Sequence, residues 1–349
     1  MTKTVVVKGV PIGGHAPVSI QSMTNTDTRD AAATIEQITR LEQAGCDIVR
    51  SSVYDMECAK AIRTIRDAIH IPLVADIHFD YRLAIAAMEN GADKIRFNPG
   101  NIGSAEKVRA VVACAKAHGV PIRIGVNAGS LEADLKQKYG PSSPKAMLES
   151  AMRHVRILEQ EGFYDIVLSM KSSSIRETVD VYRLAAKECD YPLHIGVTET
   201  GDVENGIIKS AIGIGSLLLD GIGNTVRVSL TDDPVREVTT AKSILRALHL
   251  RNDDIEIVSC PTCGRTRVAL FDAVETVKKR LPHDKGYLKV AVMGCAVNGP
   301  GEAADADIGI AFGDGNGVIF KKGQKFKFGK MPGILEELIE EATNMLEQV

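Results

Sequence analysis

Tryptophan is absent from this 349-residue chain, and aromatic residues make up only 4% of it. A protein that holds single strands by stacking bases on aromatic rings needs more, so base stacking is not its mode of binding. Charge of one sign is missing too. The 42 basic side chains face 45 acidic ones, a net of −3, so no whole-chain field draws in nucleic acid or a membrane surface. Any cationic site must come from local clustering. No stretch approaches the roughly 18 apolar residues that span a bilayer. Residues 2–14 offer only three consecutive valines, without the apolar core of a signal peptide. A cytoplasmic protein is therefore expected. In that reducing setting seven cysteines argue against a disulfide framework and for metal, redox or core use. No flavin or nicotinamide motif is visible, and no low-complexity segment.

What the chain does have is alternation. Apolar runs at 18–23, 47–53, 73–77, 94–98, 122–127, 166–171, 193–199 and 225–230 are each followed by an amphipathic stretch, such as 31–44, 105–118, 144–161 and 234–248. Strands alternating with helices imply a parallel sheet. Eight such units over about 250 residues predict a closed (β/α)₈ TIM barrel. An open doubly wound sheet would carry a Gly-rich fingerprint after its first strand, and none is there. A polar stretch at 249–256 marks the boundary between a barrel at 1–250 and a small α+β domain at 251–349. In the latter, a helix at 268–280, strands at 288–293 and 307–312, a hairpin at 318–328 turning at Gly323–Gln324, and a closing helix at 334–347 are expected.

Barrel chemistry sits at the carboxyl ends of the strands, where inward positions are two residues apart. The polar residues keep that spacing: Arg50 and Ser52, Asp76 and His78, Arg96 and Asn98, Arg123, Gly125 and Asn127, Ser169 and Lys171, Glu199, then Arg227 and Ser229. The opposite parity is apolar in several strands, as in Ile95 and Phe97 or Val226 and Val228. Any one of these arginines alone would be ordinary surface or would pair with Asp76 or Glu199. Five cations at strand ends are not ordinary. Burying that many unpaired like charges costs on the order of several kcal/mol each, so the mouth expects a polyanionic guest. The planar guanidinium fork suits phosphate oxygens, and a diphosphate is the natural candidate. The remaining histidines, His15, His70, His118, His154, His194, His249 and His283, read as structural or solvated.

In the second domain Cys260-Pro-Thr-Cys263-Gly-Arg is a CxxC, and a third cysteine follows in Met293-Gly-Cys295-Ala-Val-Asn-Gly-Pro-Gly-Glu302-Ala. CxxC alone is shared by zinc knuckles and redox dithiols. No fourth cysteine lies in this domain to close a structural zinc site. Three thiolates in Gly/Pro loops suit a 4Fe–4S cluster whose fourth iron takes another ligand. Glu302 is the obvious oxygen donor, a hard and replaceable one. Cys46, Cys58, Cys114 and Cys189 read as small core residues.

Taken together and in order, ADIHFD, RFNPGN, IRIGVN, SMKSS, VTETG, VRVSL, CPTCGR and MGCAVNGPGEA make the whole chain resemble the 4-hydroxy-3-methylbut-2-enyl diphosphate synthases, in their two-domain bacterial form. These are iron–sulfur oxidoreductases of the non-mevalonate isoprenoid route. The resemblance implies a 4Fe–4S cluster on Cys260, Cys263, Cys295 and Glu302, and 2-C-methyl-D-erythritol 2,4-cyclodiphosphate as substrate. It implies that Arg50, His78, Arg96, Arg123, Lys171, Arg227 and Ser229 hold the diphosphate, with Asn98 and Asn127 beside them. Asp76 and Glu199 would lie near the carbon skeleton, Glu199 delivering a proton and His78 standing second for that role. Electrons would come from flavodoxin or ferredoxin.

Two rivals are weighed against this reading. A pterin-type synthase barrel also takes a diphosphate ester but leaves the cysteines idle. A zinc-ribbon binding module explains CxxC but not the barrel cations. A linker at 249–256 reaches at most about 28 Å, roughly the height of a barrel, so a head-to-tail homodimer is expected, each cluster domain capping its partner's mouth.

Overall fold

The computed structural model describes residues 1–349 apart from Pro141, Asp284, 296–300, 302–303 and 348–349. The chain divides into two compact units, Met1–Leu250 and Arg251–Val349.

The first unit opens with a hairpin, β1 (Thr4–Val7) and β2 (Val10–Gly13). The sequence reading passed over it, although Lys8-Gly9 between two valine-rich arms is its signal. Both turn residues have positive φ, 42° and 83°, as a two-residue hairpin turn requires. Val7 and Ile12 pack with Ile48 and Val74, closing the floor of a barrel.

That barrel has eight parallel strands: β3 (Ser19–Met23), β4 (Ile48–Ser52), β5 (Leu73–Asp76), β6 (Lys94–Arg96), β7 (Ile122–Asn127), β8 (Ile166–Lys171), β9 (His194–Ile195) and β10 (Thr225–Val226). β10 pairs with β3 and β9, and a Leu168–Leu193 bridge closes the ring between β8 and β9. The fold is the expected TIM barrel. Helices α1 (Ala31–Gln43), α2 (Met56–Ala68), α3 (Tyr81–Glu89), α4 (Ala105–His118), α5 (Ala133–Tyr139), α6 (Pro144–Gln160), α7 (Ile175–Glu188), α8 (Val203–Leu219) and α9 (Pro234–Ala247) surround it.

Local chemistry starts six of these helices. Asp30, Asp55, Asp80, Ser174, Asp202 and Asp233 all accept a backbone N–H of the first turn, satisfying donors that a helix start leaves orphaned. Outward strand residues such as Ile20, Ile95, Ile124 and Val226 join one apolar core with the helices.

The strands at 193–199 and 225–230 are far shorter than the sequence suggests. Glu199 has φ 54°, a left-handed backbone that no strand can contain. A Cβ on Gly196 would lie 2.3 Å from the Arg227 carbonyl oxygen, so the two chains there approach backbone to backbone.

In the second unit a five-stranded mixed sheet runs in sequence order: β11 (Ile255–Ser259), β12 (Leu288–Met293), β13 (Ile308–Phe312), β14 (Asn316–Lys321) and β15 (Gln324–Lys330). Helices α10 (Leu270–Arg280) and α11 (Gly333–Glu347) cover one face. β11 corrects the sequence reading, which gave 255–256 to the linker. The hairpin turns at Lys322-Gly323, one residue earlier than expected, because both central residues need positive φ, here 46° and 75°.

Candidate active site

The carboxyl ends of the barrel strands enclose a cavity of about 430 Å³. Arg50, Asp76, His78, Arg96, Asn98, Arg123, Asn127, Lys171, Arg227 and Ser229 all line it. Glu199 lines an adjoining cavity of about 630 Å³ that shares Asn127, Lys171 and Thr198 with the first. All five cations expected at the mouth thus face one space. Lys136, from the unforeseen helix α5, adds another cation to the adjoining cavity.

The cations are buried to an unusual degree. Arg50 is 8% exposed, Arg123 2% and Lys171 9%. Two inward glycines make room for them. A Cβ on Gly125 would lie 2.8 Å from Arg96 Nε, and one on Gly196 would lie 3.1 Å from Lys171 Nζ.

Two carboxylates hold three of the cations. Asp76 Oδ1 accepts from Arg96 Nη1 at 3.1 Å, and Asp76 Oδ2 lies 3.6 Å from Arg50 Nε. Arg96 Nη1 also stands 3.0 Å from His78 Nε2, and Arg96 Nη2 donates to the Gly125 carbonyl at 3.3 Å. Arg50 rests against the Met23 sulfur, with Nη2 at 2.9 Å. Burial works to raise the Asp76 carboxyl, but Arg50, Arg96 and Arg123 overcome it and hold it at about 2. Burial and the neighbouring Arg227 and Arg96 draw the Arg50 guanidinium down to about 10. Asp76 is therefore an ionised partner of arginines rather than an acid.

The second carboxylate was not foreseen. Arg227 pairs with Glu237 of α9, not with Glu199. Glu237 is 4% exposed and sits one turn into its helix. The only sequence signal is an acidic residue in a first helical turn, which is too common to single out.

Among the described residues four arginines against two buried carboxylates leave an excess of at least two positive charges, to which Lys171 adds when protonated. Lys171 makes no hydrogen bond among the described residues, and neither Nε nor Nη1 of Arg123 has a partner there. Asn98 serves the backbone instead. Its amide donates to the Gly125 carbonyl at 2.7 Å and its oxygen accepts the Gly125 N–H at 2.9 Å, which locks the end of β6 to β7.

In the second unit Cys260 directly follows β11, and Cys295 follows β12 with Gly294 between. These strands are parallel, with Ser259 opposite Val292, so both thiols emerge at the same sheet edge. The Gly294 N–H donates to Cys260 Sγ at 3.2 Å, and the Arg267 N–H to the Gly294 carbonyl at 2.9 Å, tying the two loops together. Cys263 is exposed, its N–H bonded to Thr266 Oγ1 at 3.1 Å. Glu302 lies outside the described residues. Among the described residues no three Cys, His, Asp or Glu side chains converge as a metal site. The donor set nevertheless suits a soft metal centre: two thiols at one sheet edge, a third exposed nearby, and a backbone amide aimed at sulfur.

The other cysteines differ in kind. Cys46 and Cys58 are fully in the core, and burial pushes the Cys46 thiol up to about 12. Of the histidines read as structural or solvated, His194 is completely buried inside the barrel on β9, which leaves the structural reading and removes the solvated one.

A closed (β/α)₈ barrel that gathers five cations at its carboxyl-end mouth, followed by a cysteine-bearing sheet domain, defines a two-domain barrel enzyme of anionic substrates. Residues 2–242 match the GcpE TIM-barrel domain and 256–344 the GcpE protein C-terminal domain. The chain belongs to the GcpE family. It is 56% identical over 348 residues to the 4-hydroxy-3-methylbut-2-en-1-yl diphosphate synthase (flavodoxin) of Caldanaerobacter subterraneus, covering 100% of this chain and 98% of that one. The enzyme of the same name from Thermodesulfovibrio yellowstonii is 54% identical over 340 residues, 97% of either chain. Among solved structures, dihydropteroate synthase from Stenotrophomonas maltophilia superposes with a TM-score of 0.53 at 14% identity, over 71% of this chain and 97% of that one. The synthase from Vibrio fischeri gives 0.51 at 12%, over 71% and 98%. At such identities these barrels share the fold alone.

Proposed function

We propose that this chain opens the ring of 2-C-methyl-D-erythritol 2,4-cyclodiphosphate reductively and dehydrates it to (E)-4-hydroxy-3-methylbut-2-enyl diphosphate. The observation that carries the reading is the uncompensated positive charge of the mouth. An excess of at least two charges in a desolvated cavity has no structural purpose, and a diphosphate supplies the missing anion. The full-length similarity to enzymes named for that product supports the same substrate.

In this reading residues 1–250 hold the substrate and 251–349 the redox centre. Arg50, Arg96, Arg123, Lys171 and Arg227 bind the phosphate oxygens, with His78, Asn98, Asn127 and Ser229 beside them. As the ring C–O bond breaks, negative charge gathers on the departing phosphate oxygen, and preorganised cations stabilise it without reorganising. Asp76 keeps Arg50 and Arg96 aimed inward. Glu199, at the edge of the adjoining cavity, protonates the hydroxyl that leaves as water, and His78 is the second candidate. Cys260, Cys263, Cys295 and Glu302 would hold a 4Fe–4S cluster, which supplies the two electrons singly when bound. Flavodoxin or ferredoxin delivers them, and the whole operates in the cytoplasm. The two units join through 248–254, a span of at most about 25 Å, which favours a head-to-tail homodimer with each second unit serving its partner's barrel.

Anaerobically purified protein should be brown, with a broad visible shoulder, and should turn over the cyclic diphosphate with reduced flavodoxin. A colourless protein holding stoichiometric zinc would refute the reading. Arg123→Met and Lys171→Met should weaken substrate binding and leave the cluster spectrum untouched. Unaltered affinity in both would move the diphosphate site elsewhere.

A further inference from the structure

Beneath the mouth the barrel carries a second polar layer that the proposed reaction does not use. Ser19, Gln21, Lys94, His194 and Thr225 are at most 5% exposed. Their strand neighbours Ile20, Ile95, Ile195 and Val226 pack outward on the helices, so alternation turns these five inward. Thr225 is the register partner of both Ser19 and His194, placing those three in one row. The side-chain oxygens of Ser19 and Thr225, both amide atoms of Gln21, both ring nitrogens of His194 and Lys94 Nζ have no hydrogen-bond partner among the described residues.

Lys94 is the member of this layer with a charge to lose. It lies two residues before Arg96 on β6. Positive charge reaches it from Arg123 on β7 and Arg50 on β4, while His194, across the barrel on β9, is pushed well below the usual histidine range by burial and by the same arginines and stands there as a neutral ring. The Asp76 carboxylate on β5 is already engaged by Arg50 and Arg96. Asp93, its neighbour in sequence, accepts the Leu73 N–H at 2.9 Å and lies 3.5 Å from Arg66 on the outer side. Among the described residues no carboxylate pairs with Lys94. Burial, then Arg123 and Arg50, drive its ammonium well below the usual lysine range. The surrounding guanidiniums keep their protons under such pressure, whereas a buried lysine gives its proton up.

We propose that Lys94 is a neutral amine in the empty barrel and takes up a proton from solvent when an anion fills the mouth, becoming a sixth cation of the diphosphate site. The inference deepens the diphosphate reading and rests on it for the identity of the guest. The guest's negative charge offsets Arg123 and Arg50, the two cations that add to burial in holding Lys94 neutral. Lys171, also buried and pushed downward by burial and by Arg227, Arg50 and Arg123, shares in the uptake, so the two lysines must be separated by substitution.

The test is isothermal titration of the holoenzyme near pH 8 without electron donor, in HEPES and in Tris, whose ionisation heats differ. Each phosphate of the cyclic diphosphate has a single strongly acidic hydroxyl, so the ligand itself does not titrate there. Wild type should take up about one proton per site, and affinity should fall up to about tenfold per unit rise in pH. Lys94→Met should remove at least about half of that uptake. Binding without proton exchange in wild type overturns the inference, as does unchanged uptake in Lys94→Met. If that variant does not fold, Lys171→Met decides: uptake that persists there supports Lys94, and uptake that vanishes overturns it. Sulfate, whose charge is also constant in this range, is titrated in parallel. Proton-coupled sulfate binding with no binding of the cyclic diphosphate would sink the substrate reading and leave the role of Lys94 standing.

Discussion

Glu237 accepts the Arg227 guanidinium through both oxygens, Nη2 to Oε1 at 3.1 Å and Nε to Oε2 at 3.3 Å. The same carboxylate also takes Ser22 Oγ at 2.9 Å and the Leu230 N–H at 3.1 Å. It thereby joins the first barrel strand, the last strand's loop and the helix that follows. Removing one partner of a buried pair strands the other, at a cost of about 3 kcal/mol. Glu237→Ala should lose about that much in denaturant unfolding and weaken substrate binding. Replacing both partners, as in Arg227→Met with Glu237→Leu, should recover most of the stability but not the binding. Recovered binding in the double variant would remove Arg227 from the phosphate cradle.

Asp76 should give the barrel a recognisable acid dependence. Its carboxyl is held at about 2 against an ordinary 3.8. A depressed folded-state value means stability that is complete above the unfolded value and is lost as pH falls through the folded one. Asn mimics the protonated form, so Asp76→Asn should be less stable by about 2 kcal/mol at pH 7. The gap should hold down to about pH 4 and close between 4 and 2. A gap that does not narrow in urea unfolding at pH 3 would mean that the pairing with Arg50 and Arg96 is not its source.

The barrel was legible because strand alternation and helix periodicity repeat eight times, each reinforcing the next. The mouth cations were legible for the same reason, since Arg50, Arg96, Arg123 and Lys171 obey a two-residue spacing against apolar neighbours. What escaped was whatever depends on a partner distant in sequence. Glu237 becomes informative only once α9 brings it to Arg227. Lys94 and His194 look like ordinary strand residues until the barrel closes around them. The ends of the strands at 193–199 and 225–230 escaped because a left-handed Glu199 and the close approach at Gly196 are backbone events, without hydrophobic signature. The floor hairpin was missed because its arms are too short for periodicity to speak.

Cys260, Cys263 and Cys295 should each prove necessary for iron. Ser at any one should abolish stable cluster and activity while circular dichroism shows an intact fold, because a serine hydroxyl is a poor ligand for soft iron. Cys58→Ser should bind iron normally. Glu302→Ala should retain some iron in a labile, poorly active centre. Normal iron content and turnover in Glu302→Ala would reject the carboxylate as a ligand.

Sharing of sites between subunits can be read by complementation. A Cys260→Ser variant lacks only the redox centre, and an Arg123→Met variant lacks only the mouth. If each second unit serves its partner's barrel, mixing and exchange should restore up to about a quarter of wild-type activity, since half the dimers are mixed and each holds one intact site. No recovery after verified subunit exchange would show that each chain serves its own barrel.

Glu199 combines backbone strain with a position at the mouth. Its φ of 54° costs a side-chain-bearing residue about 1 kcal/mol that glycine would not incur. It lines the cavity beside Lys171 and Thr198, so the strain is tolerated where the carboxylate is wanted. Two variants separate the backbone from the side chain. Glu199→Gly relaxes φ and deletes the carboxylate; it should fold at least as stably as wild type while turnover falls about 100-fold, the usual loss for a missing proton donor. Glu199→Gln keeps the strained backbone and the side-chain volume; it should match wild type in stability and match Glu199→Gly in turnover. In both, substrate affinity should change little, because the phosphate oxygens are held by other residues. Wild-type turnover in Glu199→Gln would transfer the proton to another group, with His78, 3.0 Å from Arg96 Nη1, as the residue to substitute next.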